Sequence, residues 1–131
     1  KSGCNMAKLA TFDFDDTLTM PYWSDEDGYW TSGTDPNKKT ISALKKLHSK
    51  GFEIVIVTSR HGTSDHKRTI GTFVKKYGLP VKRLIFTNGK WKADTLDKLG
   101  SILHYDDDKA EITKIKAKGI EVVEVRHPSG I

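Results

Sequence analysis

The sequence predicts an α/β protein in which a five-stranded parallel sheet carries helices on both faces, a three-layer Rossmann-like arrangement. Two observations lead there. Apolar, β-prone runs alternate with amphipathic segments from about residue 7 to about 125, and alternation that regular favours parallel strands joined by helical crossovers. Phe52-Glu53-Ile54-Val55-Ile56-Val57 is moreover almost unbroken in its apolarity, as a strand buried on both faces requires. The length suits one domain, taken as residues 6–131. Residues 1–5 are set aside as an extraneous or disordered N-terminus, with Met6 the candidate native start.

Each element follows from local chemistry. A first strand is expected at about 7–14. Residues 19–36 hold Pro21, Gly28, Gly33 and Pro36 among polar and aromatic side chains, which reads as an irregular or hairpin excursion. Pro36 near N1 opens a helix at about 36–50 with Ile41, Ala43, Leu44 and Leu47 at helical spacing, closed by Gly51. After the strand at 52–57, a helix over 64–77 aligns Ile70, Phe73, Val74 and Tyr77. A strand from Arg83 to Thr87 leads to a short helix at 92–99 closed by Gly100. A strand at 102–105, a lysine-rich helix at 108–118 and a strand at 120–125 complete the pattern.

Composition narrows the function classes. There are 22 Lys and Arg against 17 Asp and Glu, a net charge of +5. Six of the 17 acids form two knots, Asp13/Asp15/Asp16 and Asp106/Asp107/Asp108, leaving 22 basic against 11 acidic side chains elsewhere. An acidic pocket in a basic surround suits a polyanionic substrate, although a solvated lysine-rich surface has the same composition. The single cysteine, Cys4, excludes an internal disulfide and fits a reducing, cytoplasmic setting. No apolar run approaches the roughly 18 residues of a membrane span.

The polar clusters stand where the predicted strands stop. Alternation along a strand points Asp13 and Asp15 the same way and Asp16 away. Paired carboxylates repel unless a cation or a shared proton lies between them. Thr58 ends the second strand, Lys90 and Lys92 follow the third, and Asp106-Asp107 ends the fourth. Parallel sheets bind ligands at this edge. Acids to hold Mg²⁺ and attack, with a hydroxyl and a lysine to bind phosphate oxygens, together fit phosphoryl transfer.

These residues resemble the haloacid dehalogenase-like (HAD) phosphohydrolases. Phe12-Asp13-Phe14-Asp15-Asp16-Thr17 is similar to their DxDxT motif, with Asp16 where many members carry glycine. Thr58, a lysine around 90–92, and Asp106-Asp107 are similar to the three later motifs, in order. The resemblance implies that Asp13 is the nucleophile and Asp15 the general acid and base. It implies a Mg²⁺ held by Asp13, the Asp15 carbonyl, Asp106 and Asp107, with Thr58 on a phosphoryl oxygen. It also implies a charge-neutralising lysine, for which Lys92 is preferred over Lys90 and Lys98.

The sequence also bears on the substrate. Neither gap between motifs has room for a cap domain, so bulky substrates can reach the site. Thr58-Ser59-Arg60 resembles the T-x-R motif in the phosphatase module of polynucleotide kinase/phosphatases, which makes Ser59 and Arg60 candidate substrate ligands, Arg60 as a bidentate phosphate donor. Tyr22-Trp23 and Tyr29-Trp30 either stack on a substrate base or fold inward to pin the hairpin. The expected function is removal of 3′-phosphates from DNA or RNA ends; small phosphate esters or phosphoproteins are the alternative. A receiver-type signalling domain is disfavoured because the second acidic knot follows the fourth strand and no lysine ends the last.

Overall fold

A computed structural model describes residues 8–127; Cys4 and Met6, on which two of the expectations rest, lie outside them. β1 (Leu9–Phe12) is followed by β2 (Thr19–Ser24) and β3 (Tyr29–Pro36). The chain continues through α1 (Lys38–Ser49), β4 (Glu53–Thr58), α2 (Ser64–Lys76), β5 (Arg83–Phe86) and α3 (Ala93–Leu99). β6 (Ser101–Asp106), α4 (Lys109–Lys116) and β7 (Glu121–Glu124) end it. The five-stranded sheet has the order β5-β4-β1-β6-β7, every neighbouring pair parallel. β1 is therefore central, and the order reverses between it and β6, which opens a crevice at the carboxyl edge.

The strand alternation builds two cores. Ala10 and Phe12 of β1 and Ile54 and Ile56 of β4 face α1 and α2, where they bury Leu44, Ile70 and Phe73. Val55 and Val57 face the other way and pack with Ala93 and Leu96 of α3 and Ile115 of α4. The nearly continuous apolarity of β4 is thus spent on both faces. Thr11 shares the second face, and its hydroxyl is satisfied there by Ser101 Oγ and His104 Nδ1, each at 2.8 Å.

Several boundaries differ from the expected ones for local reasons. Pro36 ends β3 instead of opening α1; the cap is Asn37, whose side chain accepts from the Thr40 amide. Lys92 precedes α3, and Asp108 caps α4 by accepting from the amides of Ala110 and Glu111. β1 stops at Phe12, because the amides of Thr17, Leu18 and Thr19 all turn back onto the Phe14 carbonyl. The two-residue alternation consequently does not extend to Asp15 and Asp16.

Residues 19–36 form an antiparallel hairpin with Trp23 opposite Trp30, their rings 5.8 Å apart and edge to face. Gly28 turns the tip at φ +72°, and a Cβ at Gly33 would run into the Met20 carbonyl oxygen. This hairpin is all that lies between β1 and α1, and only α2 and β5 lie between β4 and α3, so the described residues contain no cap domain.

Leu44 is fully buried in the first core. Leu44→Ala is expected to lower unfolding free energy by about 3 kcal/mol, through lost transfer energy and a residual cavity. Urea denaturation measures this.

Candidate active site

The end of β1 and the end of β6 bring two aspartates to the crevice, and the turn before α3 sends a lysine between them. Lys92 Nζ donates to Asp13 Oδ1 at 3.0 Å and to Asp106 Oδ2 at 2.9 Å. Its side chain is only 3% exposed, so the ammonium depends on these acids for what water would otherwise supply. Glu111 on α4 steadies the lysine from behind. It accepts from the Lys92 amide at 2.9 Å and places its second oxygen 3.8 Å from Nζ. Thr17, one turn after Asp13, donates to Asp13 Oδ2 at 3.0 Å and is 3.2 Å from Asp107 Oδ1.

Charge is unbalanced in this pocket. Asp13, Asp106, Asp107 and Glu111 face a single ammonium. Burial would push Lys92 down, but the charges of Asp13 and Asp106 outweigh it and raise the ammonium's pKa above its ordinary value. Burial also pushes Asp106 up, yet the His104 hydrogen bond and Lys92 prevail and hold it at about 2. Asp13 is raised well above the usual carboxylate range, by burial first and then by Asp106 and Asp107, with Lys92 opposing. Burial lowers His104, so a neutral ring donates from Nε2 to Asp106 Oδ2 at 2.8 Å and accepts at Nδ1 from Thr11.

Asp13, Asp106 and Asp107 each offer a carboxylate oxygen, all within 4.8 Å of one another. Three hard oxygen donors in a cluster short of positive charge fit a hard divalent cation such as Mg²⁺. The carboxylate of Asp15 is not part of that cluster.

Asp15 turns instead to Arg60, whose Nε and Nη2 bind its two oxygens at 2.8 Å each. The guanidinium, expected to be open to a phosphate, is thus occupied by an aspartate in this state. It also lies over the Phe14 ring, 5.4 Å from its centre. Thr58 is buried at the end of β4, its oxygen accepting from the Arg60 amide at 3.2 Å, whereas Ser59 is exposed. Lys90 and Lys98 are exposed, so among the three candidate lysines the fold brings Lys92 to the acids.

Asp16, at φ +60°, accepts from Ser32 Oγ at 3.0 Å and donates its amide to Thr19 Oγ1, tying the hairpin to the loop after β1. Trp30, Ser32, Asp16 and Asp107 share a cavity of about 370 Å³, while Tyr22, Trp23 and Tyr29 are about half exposed. Three of the four aromatics therefore do not fold inward, contrary to one of the two expectations. Trp23 and Trp30 pack on each other, and Trp30 also borders the site.

Glu111, the His104–Thr11–Ser101 relay and Trp91 were not among the expected site residues. A glutamate in the first turn of a helix ordinarily reads as a cap or dipole partner. A histidine inside a strand ordinarily reads as packing. Trp91 is 54% exposed directly before the buried Lys92, with Lys114 Nζ 4.7 Å from its ring centre. Its signal was an aromatic residue between two lysines.

Residues 10–117 match the family model described as haloacid dehalogenase-like hydrolase. The chain belongs to that family and is a hydrolase by class. No curated protein sequence matches it. Among solved structures, a chain of the Pnkp1/Rnl/Hen1 complex is similar in fold, with a TM-score of 0.67 and 14% identity over 91% of this chain and 46% of its own. A chain of the Pnkp1/Rnl/Hen1 RNA repair complex has a TM-score of 0.68 and 14% identity over 95% and 44%. This chain thus spans under half the length of those chains. The cobalt-bound deoxy-D-mannose-octulosonate 8-phosphate phosphatase (YrbI) from Haemophilus influenzae is 16% identical over 87% of this chain and 66% of its own, with a TM-score of 0.49.

Two outcomes test the electrostatics. Lys92→Met is expected to cost about 3 kcal/mol in EDTA, because buried acids lose their counter-charge, and added Mg²⁺ is expected to restore part of it. Protons compete with the cation for the same carboxylates, and Asp13 holds its proton above the usual range. The thermal shift on adding Mg²⁺ should therefore grow as pH rises from about 5 to about 8. A shift that is flat across this range would count against the site.

Proposed function

We propose that the domain is a divalent-cation-dependent phosphomonoesterase that works through an Asp13 phosphoryl intermediate and acts on 3′-phosphate ends of DNA or RNA. The observation that carries this reading is the buried Lys92 clamped between Asp13 and Asp106 at the carboxyl edge. A nucleophilic carboxylate and an incoming phosphate are both anionic, and this ammonium offsets their repulsion. The ends of β1 and β6 fix Asp13 and Asp106, and Thr17 and Lys92 orient the two oxygens of Asp13.

In the first half-reaction an Asp13 oxygen bonds to phosphorus and the ester P–O bond breaks. The leaving oxygen takes a proton from Asp15. In the second, Asp15 accepts a proton from water, the water oxygen attacks phosphorus, and inorganic phosphate leaves with Asp13 regenerated. Asp15 can approach the leaving oxygen only when Arg60 releases it. An arriving phosphate supplies a competing partner of higher charge for the same guanidinium fork; the freed Asp15 carboxylate then takes up a proton from solvent, and that proton is the one passed to the leaving oxygen. Thr58, at the neighbouring strand end, would bind a phosphoryl oxygen. Asp13, Asp106 and Asp107, with the Asp15 carbonyl, would hold Mg²⁺, which would supply further positive charge for the phosphoryl oxygens.

The polynucleotide end is favoured by three features. The edge is uncovered, Trp30 borders it beside Asp107, and chains of similar fold belong to a complex described as one of RNA repair. The test compares p-nitrophenyl phosphate, nucleoside 3′-monophosphates and 3′-phosphorylated oligonucleotides in Mg²⁺ or EDTA. Asp13→Asn is expected to reduce turnover of all three by roughly a thousandfold or more, and EDTA is expected to abolish it. Equal kcat/KM for a mononucleotide and an oligonucleotide end would replace the polymer-end reading with a small-ester phosphatase.

A further inference from the structure

The groove between the hairpin and α2 takes no part in the chemistry above, yet it adjoins Phe14, the residue between Asp13 and Asp15. Asp15 protonates the leaving oxygen, so the remainder of the substrate extends outward from Asp15. Phe14 lines one end of a cavity of about 370 Å³. The Arg60 guanidinium joins the two places, over the Phe14 ring on one side and on the Asp15 carboxylate on the other. From there the walls are Thr34 of β3 and Arg68, Thr69, Thr72, Lys76 and Tyr77 of α2 and its C-cap.

The lining of this groove is mostly apolar, with buried Phe14 and Phe73 beneath, and its polar share is made of cations and hydroxyls. Arg68 and Lys76 are exposed, as are the hydroxyl-bearing Thr34, Thr69 and Thr72. Lys67 and Lys75 extend the positive charge of the same helix. The acid on this helix is Asp65, bound to Arg68 at 2.9 Å with both side chains largely in water, where screening leaves the pair weak. Half-buried Tyr77 supplies a ring, with Lys76 Nζ 5.4 Å from its centre. Cations alternating with hydroxyls beside an aromatic ring suit a phosphodiester backbone and one stacked base.

We propose that this groove binds the single-stranded nucleic acid that carries the terminal phosphate, with its backbone along Arg68 and Lys76 and its end at Asp13. The direction of the strand rests on the phosphomonoesterase reading; the charge of the groove does not. The test is binding of a 5′-fluorescein-labelled, 3′-phosphorylated oligonucleotide to Asp13→Asn protein, followed by anisotropy. Adding Arg68→Glu with Lys76→Glu is expected to weaken binding at least about tenfold and to make the log Kd against log salt slope shallower by roughly 1.4, or about 0.7 for each lost phosphate contact. In otherwise wild-type enzyme, kcat/KM for the oligonucleotide relative to p-nitrophenyl phosphate should fall by the same factor, through KM. Arg68→Gln with Lys76→Gln removes charge without reversing it. It should give a smaller loss in the same direction, and it serves if the reversal impairs folding. Unchanged affinity and slope in both pairs would overturn the track, whether or not 3′-phosphates are hydrolysed. An enzyme that binds the strand through these residues but leaves its 3′-phosphate in place would refute the 3′-end reading and keep the track.

Discussion

The structure depends on one buried ammonium. Lys92 is almost fully buried, and its charge is tolerable there only because Asp13 and Asp106 close on it. That requirement joins elements far apart in the chain: the loop after β1, the end of β6, the turn before α3 and, through Glu111, helix α4. One cation is nevertheless too few for four carboxyl groups. In the proposed reading a divalent metal at Asp13, Asp106 and Asp107 would supply the missing positive charge and help to hold a phosphate.

Around that fixed centre the second ion pair has a different character. Asp15 and Arg60 are each about a quarter to a third exposed, so their bidentate bond is accessible to exchange in a way that the buried one is not. The two pairs divide the labour. In the proposed mechanism the buried pair would hold the nucleophile in place, and the accessible pair would join proton transfer to arrival of a phosphate. The His104–Thr11–Ser101 relay extends the fixed side by holding Asp106 from behind, much as outer hydrogen bonds orient ligating carboxylates elsewhere.

The hairpin stands where a covering domain would otherwise join the chain. Asp16 binds it through Ser32, and the Leu18 carbonyl accepts from the Asn37 amide at its base. It therefore forms a fixed wall beside the site, with Trp30 on one flank and Thr34 facing α2 on the other. An open edge with one short wall leaves substrate selection to contacts along the protein surface.

The sheet, its helices and the site's carboxyl-edge location were legible in the sequence because they follow from short-range pattern. Period-two and period-3.6 apolarity, glycines after helices and acids at strand ends are all local signals. Asp13, Thr58 and Asp106 could be placed on one edge because parallel topology leaves little freedom there. The roles of Asp15, Arg60, Asp16 and Glu111 were not legible in this way. Alternation in an extended strand pairs Asp15 with Asp13, but the Phe14 carbonyl gathers three amides and ends β1 early, which frees Asp15 for Arg60. Glu111 reads as a helix-capping acid until α4 is docked against α3. The sequence by itself determined which elements form and which residue types meet at the sheet edge. Which acid pairs with which base was decided by the tertiary structure alone, because a salt bridge depends on ångström-scale distances between segments that no local periodicity encodes.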